Sequence, residues 1–414
     1  MTDDTDVREF LHQMADEVPL SPVDPRPAVR RAKRRLVRTL SVATLVLAAL
    51  VAGSAVGIGR LTAAPPSVPA HPGPTGGVVV FGRGAEKDHF QLFTIAADGT
   101  NERELLAHPS LSQPPSLSPD GTIVVSVGPS PRDAKTDAAI IVDVKTGKVR
   151  VLEMPDPTLF PVCLIWSSDG NRLACGLQGH GRSGIYTIRS SDGSGLTRVT
   201  SIPGGEDDPL VFSPDGSKLL FLRAPHGSTE YPNQLFVVDS DGGLARRLNP
   251  PGSTADIPFL GSELGSGSWS PDGRQVTFAA ASRSSSASDQ RTAVFVVNAD
   301  GSDRHRITPW ASAFLAQWSP DGRWIAYSGR QPGEQGGTEI FVVHPDGTGL
   351  REITSSPGGF SFGAVWSPDS TKLLFVRGGD FDRTDLWTVK VEGAELRQLT
   401  HTPGRYVGYG WALG

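Results

Sequence analysis

The sequence predicts an all-β chain: a seven-bladed β-propeller closed by pairing of its N- and C-terminal strands, preceded by a single transmembrane helix. Three observations predict it. A phrase built on Ser-Pro-Asp-Gly recurs six times, at spacings of 46 to 57 residues. A second phrase, an apolar strand followed by a tight turn, recurs seven times. One run of 21 residues, 39–59, carries no charge at all.

Composition narrows the class further. Gly (48) and Pro (34) make up about a fifth of the 414 residues, against roughly an eighth in average usage. This enrichment suits a chain rich in turns and is too small for a collagen-like or low-complexity one. Two cysteines exclude a disulfide-framework miniprotein and a Cys-rich zinc module. A net charge of −5 gives no basic footprint for nucleic acid.

The first 38 residues read as a cytoplasmic tail. Residues 1–24 hold seven acids and one base, and residues 25–38 hold seven bases and no acid. Val7, Phe10, Leu11 and Met14 fall at i, i+3, i+4 and i+7, one apolar face of a short helix. That face reads either as an interfacial helix or as a docking helix for a cytosolic protein. Residues 39–60 are the predicted transmembrane helix. The uncharged run would extend about 31 Å at ~1.5 Å per residue, matching a hydrocarbon core of ~30 Å. The basic collar before it places the N-terminus in the cytoplasm and everything after Arg60 outside. A cleaved signal peptide fits less well, because its apolar region spans about 7–15 residues and no clean A-x-A site follows here. Residues 61–75, rich in Pro and Ala and uncharged, read as an extended linker.

Residues 76–414 carry the repeat. Its first phrase is anchored at Leu117, Trp166, Phe212, Trp269, Trp318 and Trp366. The second begins at Leu92, Ile140, Ile185, Leu235, Val294, Ile340 and Leu386. The mismatch of six against seven resolves at the ends. GVVVFGR at 77–83 reads as the second strand of a unit lacking its first. Trp411 stands 45 residues after Trp366, as a first strand with nothing after it. Together they complete a seventh blade. Pro-Asp-Gly suits a type I turn followed by Gly in the left-handed region, with the Asp bonding backbone amides. The anchoring Trp or Phe is expected between blades. One blade cannot bury both faces, whereas a closed ring can, and closure protects the strand edges.

These residues resemble the TolB-like and WD40-like propeller repeat class, over about 80% of the chain. The resemblance implies the fold and leaves function open, since propellers host many unrelated activities. The six blades and separate α/β domain of TolB are not matched. The tail resembles the short cytoplasmic N-termini of some actinobacterial single-pass proteins, including candidate regulators of sigma factors. The His and Cys pattern of zinc-binding anti-sigma domains is absent from it.

In a four-stranded blade the first-to-second and third-to-fourth turns share one face of the ring. Those turns are uniform here, whereas the loops of the opposite face are longer and varied, as at 201–208, 249–268, 279–293 and 377–385. Long loops on a rigid scaffold are where binding resides. The candidate partner-binding residues are therefore Glu206, Asp207, Asp208, Asp256, Asp380, Asp382, Trp310, Phe360, Phe362 and Tyr406. The alternative is that the acids are solvated and the aromatics pack the blade tops.

Several features that resemble chemistry read otherwise. The turn aspartates Asp120, Asp169, Asp215, Asp272, Asp321 and Asp369 are periodic backbone caps rather than calcium ligands. The scattered histidines give no H-x-H or H-x-x-x-H pair, so no metal site or cofactor is expected. GFSFG at 359–363 matches a hydrolase nucleophile elbow, but that motif needs a strand before it and a helix after it, and Ser361 instead leads into a first strand. Cys163 and Cys175 flank one turn symmetrically; they are compatible with a cross-strand disulfide or with two buried thiols. The reading that results is a membrane-anchored, extracytoplasmic, non-catalytic binding or scaffolding module for a protein, peptide or glycan. The alternatives are a transmembrane sensor whose tail binds a cytosolic partner, and a propeller hydrolase or lyase acting on envelope polymers.

Overall fold

The computed structural model describes residues 77–412 apart from 87–88, 112–113, 130–136, 153–159, 179–182, 202–205, 225–233, 250–266, 282–290, 334–335 and 381. The tail positions Val7, Phe10, Leu11 and Met14, the run 39–60 and the linker 61–75 lie outside the described residues. Among the described residues no helix is long and apolar enough to cross a membrane.

The strands form seven four-stranded antiparallel sheets. Blade 1 comprises Ser116–Leu117, Ile123–Pro129, Asp137–Asp143 and Val149–Leu152. Blade 2 comprises Phe160–Trp166, Arg172–Gln178, Gly184–Arg189 and Thr197–Arg198. Blade 3 comprises Glu206–Phe212, Lys218–Ala224, Gln234–Asp239 and Arg246–Arg247. Blade 4 comprises Gly267–Trp269, Gln275–Ala281, Thr292–Asn298 and His305–Arg306. Blade 5 comprises Ser312–Trp318, Ile325–Arg330, Glu339–Val343 and Arg351–Glu352. Blade 6 comprises Phe360–Trp366, Lys372–Asp380, Arg383–Lys390 and Arg397–Gln398. Blade 7 is the expected composite. Arg405–Ala412 takes the first position beside Val78–Glu86, His89–Ala96 and Arg103–Leu111. Its register pairs Val78 with Ala412 and Gly84 with Arg405.

The repeated turn explains why these residues form these hairpins. In blade 1, Ser118 Oγ donates to Asp120 Oδ1 at 2.5 Å, and that oxygen accepts the amide of Thr122 at 3.1 Å. Ser118 Oγ in turn accepts the amide of Ile123 at 2.9 Å. The same three bonds recur around Asp169, Asp215, Asp272, Asp321 and Asp369. The last turn residue sits in the left-handed region, where Gly is free of Cβ strain: φ is 69° to 73° at Gly121, Gly170, Gly216, Gly273 and Gly322. Blade 6 has Ser370 there instead, at φ 61°.

Backbone bonds tie the two kinds of turn together on one face. The amide of Ser240, after a third strand, donates to Ser217, before a second strand. Val144, Ser190, Ala299 and Val391 make the equivalent bond to Thr122, Asn171, Arg274 and Thr371. This is the turn face; the opposite face is the loop face.

First strands are buried along their length, as at Phe360–Trp366, while fourth strands such as Arg351–Glu352 are exposed. The core lies between blades. Ala326, Ile340 and Val342 of blade 5 pack with Trp366, Leu373 and Phe375 of blade 6. Full burial of each large apolar side chain stabilises by about 1.5–3 kcal/mol. The indole N–H of Trp166 donates to Ser116 O at 3.1 Å, and that of Trp366 to Gln317 O at 3.2 Å, both in the preceding blade. The anchors therefore pack between blades, as the sequence predicts.

The two cysteines that flank the Asp169 turn are not paired across the hairpin. Cys175 pairs with Leu164, and the ladder shifts between Val162 and Leu164, so the bulge steps past Cys163. Cys175 is a free, buried thiol, packed with Val125, Trp166 and Tyr186. Burial pushes its pKa up.

Candidate binding face

The turn face is locked shut by side chains that reach the next blade. Arg103 donates to Val144 and Lys145 carbonyls, Arg150 to Ser190 and Ser191, and Arg246 to Asp300. Ser168, standing where other blades have Pro, donates to Ser213 O at 2.6 Å. Ser370 accepts the amide of Asp321 at 3.0 Å. Both departures from the repeat thus add a bond between blades.

The loop face is built differently. A hydroxyl or amide after the fourth strand accepts the amide of the third strand's residue. Thr200 does so for Ile185 at 2.9 Å, Asn249 for Leu235 at 3.0 Å and Thr308 for Val294 at 2.9 Å. Thr354 and Thr400 do so for Ile340 and Leu386, each at 3.0 Å. Sequence reading missed this device, although the Thr or Asn recurring two residues past the fourth strand in blades 2 to 6 was its signal.

The predicted site residues fall into three groups on this frame. Asp207, Phe360, Phe362 and Tyr406 are buried. Asp207 holds Arg223 in a bidentate pair, at 2.7 Å to Nε and 2.9 Å to Nη2, with the guanidinium 4.8 Å from the Phe236 ring. Phe360 and Phe362 contact each other with ring centroids 5.7 Å apart. Tyr406 packs on Phe81 at 5.4 Å and donates to Thr402 O at 2.6 Å. These four stiffen the face from beneath. Asp208 and Trp310 are half-buried, and Trp310 lies edge-on to Phe295 with Arg306 5.1 Å from its ring. Asp380 and Asp382 are exposed on the second-to-third hairpin of blade 6, where Asp380 accepts the amide of Asp382 at 3.1 Å. Glu206 begins the first strand of blade 3; its side chain and all of Asp256 lie outside the described residues.

Two polar clusters support this face. Glu339 accepts from Thr354 Oγ1 and the Ser356 amide, each at 2.6 Å. Ser356 and Ser361 share a hydrogen bond at 2.8 Å. Ser361 is fully buried within a strand, not raised on an elbow. One blade on, Asp385 accepts from Thr400 Oγ1 at 2.9 Å and Gln398 Nε2 at 3.1 Å. Burial still holds its pKa above the usual carboxylate range, against the pull of Thr400, His401 and Gln398.

Midway along the first strands the buried side chains are mostly apolar. Leu315, Gly363 and Gly408, each three residues before a tryptophan, take φ of 58°, 74° and 56°. A Cβ at Gly408 would lie 2.5 Å from Pro115. Leu210, Leu315, Ala364, Val407 and Tyr409 are buried at this level. Among the described residues no three His, Cys, Asp or Glu side chains gather to hold a metal ion.

Comparison with known proteins agrees with this architecture. Residues 77–263 match the profile of the TolB beta propeller domain. A Protein TolB homolog of Chlorobium luteolum is 30% identical over 162 residues, 38% of this chain and 33% of that protein. Dipeptidyl-peptidase 5 of Porphyromonas endodontalis is 34% identical over 124 residues, 30% of this chain but 17% of that enzyme. The chain thus spans a third or less of the length of these two relatives. The propeller domain of the Trilobed protease from Pyrococcus furiosus, described as having an open velcro topology, superposes with a TM-score of 0.54 at 12% identity, covering 78% of this chain and 94% of that one. It shares the fold, whereas the ring here is closed by the Val78–Ala412 register. The repeat, the seven sheets and these matches support a TolB-like propeller, the profile match itself spanning residues 77–263.

Proposed function

We propose that the chain is a membrane-tethered, extracytoplasmic, non-catalytic module that binds a protein partner on its loop face. One observation carries this reading: the turn ends of the blades are uniform and bonded to one another, while the loop ends vary and are held from beneath by buried pairs such as Asp207–Arg223. A rigid frame presenting varied loops is the arrangement that binding surfaces use. The uncharged run 39–59 behind a basic collar supplies the tether.

The test compares two charge reversals in the full chain. Asp380→Lys with Asp382→Lys alters the loop face, and Asp300→Lys alters the turn face. Partners are recovered by crosslinking from an envelope fraction. Loss of a partner from the loop-face variant alone is expected; equal recovery by both variants refutes the assignment.

A further inference from the structure

The strand that starts the ring also fixes which way the ring points. Val78–Glu86 is the second strand of blade 7, so Gly77 lies on the turn face, where its carbonyl accepts the amide of Ala97 at 2.8 Å. The chain leaving Gly77 toward residue 60 therefore departs from the turn face. A separate observation marks the same face. The large hydrophobic side chains exposed among the described residues are Leu244 at 97%, Leu350 at 40% and Leu396 at 44%. All three sit in third-to-fourth turns, in blades 3, 5 and 6. Each is followed within two residues by an exposed arginine: Arg246, Arg351 and Arg397.

We infer that the turn face lies against a phospholipid surface, with these leucines entering the headgroup region and the arginines meeting phosphate, so that the loop face points away from the bilayer. The inference rests on the tethering reading above. A leucine beside an arginine suits an interface, where the apolar chain can submerge and the guanidinium can stay at phosphate level. Linker length favours the same orientation. Sixteen residues, 61–76, separate the uncharged segment and Arg60 from the ring. Stretched at ~3.1 Å per residue they reach about 50 Å, and as a flexible coil they span roughly 22 Å. Turning the loop face to the bilayer would require the linker to double back along a blade. A seven-residue strand is already ~23 Å tall, as long as the relaxed linker. The turn-face orientation requires no such extension.

The test uses the full chain in nanodiscs of phosphatidylcholine and phosphatidylglycerol doped with a headgroup-photoreactive phospholipid. Lipid adducts are expected on peptides containing Leu244, Leu350 and Leu396, and absent from 377–385. The triple variant Leu244→Ser, Leu350→Ser, Leu396→Ser should remain inserted and lose those adducts. Adducts concentrated on 377–385 would overturn the orientation, and an inserted chain with no turn adducts would overturn the lipid contact. A chain that fails to insert, and is released by alkaline carbonate, overturns the tether and the orientation together.

Discussion

Tyr409 on the closing strand donates its hydroxyl to the carbonyl of Gly363 on blade 6 at 2.5 Å, and a Cβ at Gly363 would run into that same hydroxyl. The bond joins the last strand of the chain to its neighbour midway along the first strands, where both residues are buried. Tyr409→Phe should lose about 1–2 kcal/mol by stranding a buried carbonyl. Gly363→Ala should cost more, about 2–4 kcal/mol, because it adds a clash to a backbone at φ 74°. Urea unfolding of the two variants checks the order.

The buried pair Asp207–Arg223 gives a second expectation. The Asp207 side chain is fully buried and that of Arg223 is 20% exposed. Asp207→Ala leaves a mostly buried guanidinium without its counter-charge and should cost about 3 kcal/mol. The double variant Asp207→Leu, Arg223→Met should recover most of that loss. Chemical unfolding of single and double variants measures it, and equal losses would mean that packing, not charge, holds the site.

Ser370 separates strain from bonding. Ser370→Ala keeps the left-handed backbone and loses the bond to the Asp321 amide, and should cost about 1–2 kcal/mol. Ser370→Gly also loses that bond but relieves the backbone, and should be less destabilised by about 1 kcal/mol. The comparison is read in the same unfolding assay.

Acid should unfold the ring through its turns. Burial raises the pKa of Asp120, but hydrogen bonds from Ser118 and from the amide and hydroxyl of Thr122 outweigh it and hold the carboxyl below its usual range. Asp169, Asp215, Asp321 and Asp369 are lowered in the same way. A carboxyl depressed in the folded state contributes stability above its unfolded pKa of ~3.9 and loses it as pH falls through the folded value. Asp385 has the opposite sign. Raised by burial, it favours the folded state when protonated, and that contribution fades as pH rises through its folded pKa. The urea midpoint should therefore fall steeply below pH ~4. Asp385→Asn should remove the smaller decline that accompanies deprotonation of Asp385 as pH rises.

Much of this architecture was legible in the sequence, because the turn is local. Serine, aspartate and the left-handed residue lie within four positions of one another, so the motif at Ser118–Gly121 carries its own bonds and its spacing counts blades. The half-blades at 77–83 and Trp411 revealed the closure for the same reason. The site was less legible because burial there depends on where a strand begins. Glu206 to Asp208 read as loop, yet the first strand of blade 3 starts at Glu206, and alternation then sends Asp207 inward. Phe360 and Phe362 follow a Pro-Gly-Gly loop but already belong to a strand. Counting from Asp169 left a disulfide and two buried thiols both open, because it cannot see the single-residue bulge that pairs Cys175 with Leu164.

The composite blade also determines how the ring bears load. Val78 is paired on one side with Ala412 and on the other with Ala96. A pull applied to Gly77 along the strand axis would meet a ladder on each flank. Rungs loaded in shear must break nearly together, whereas a strand peeled from a sheet edge yields one rung at a time. The seam of the ring is thus also where a pull on Gly77 would be borne, and the same two ladders that complete the circle would resist the strand's being drawn out.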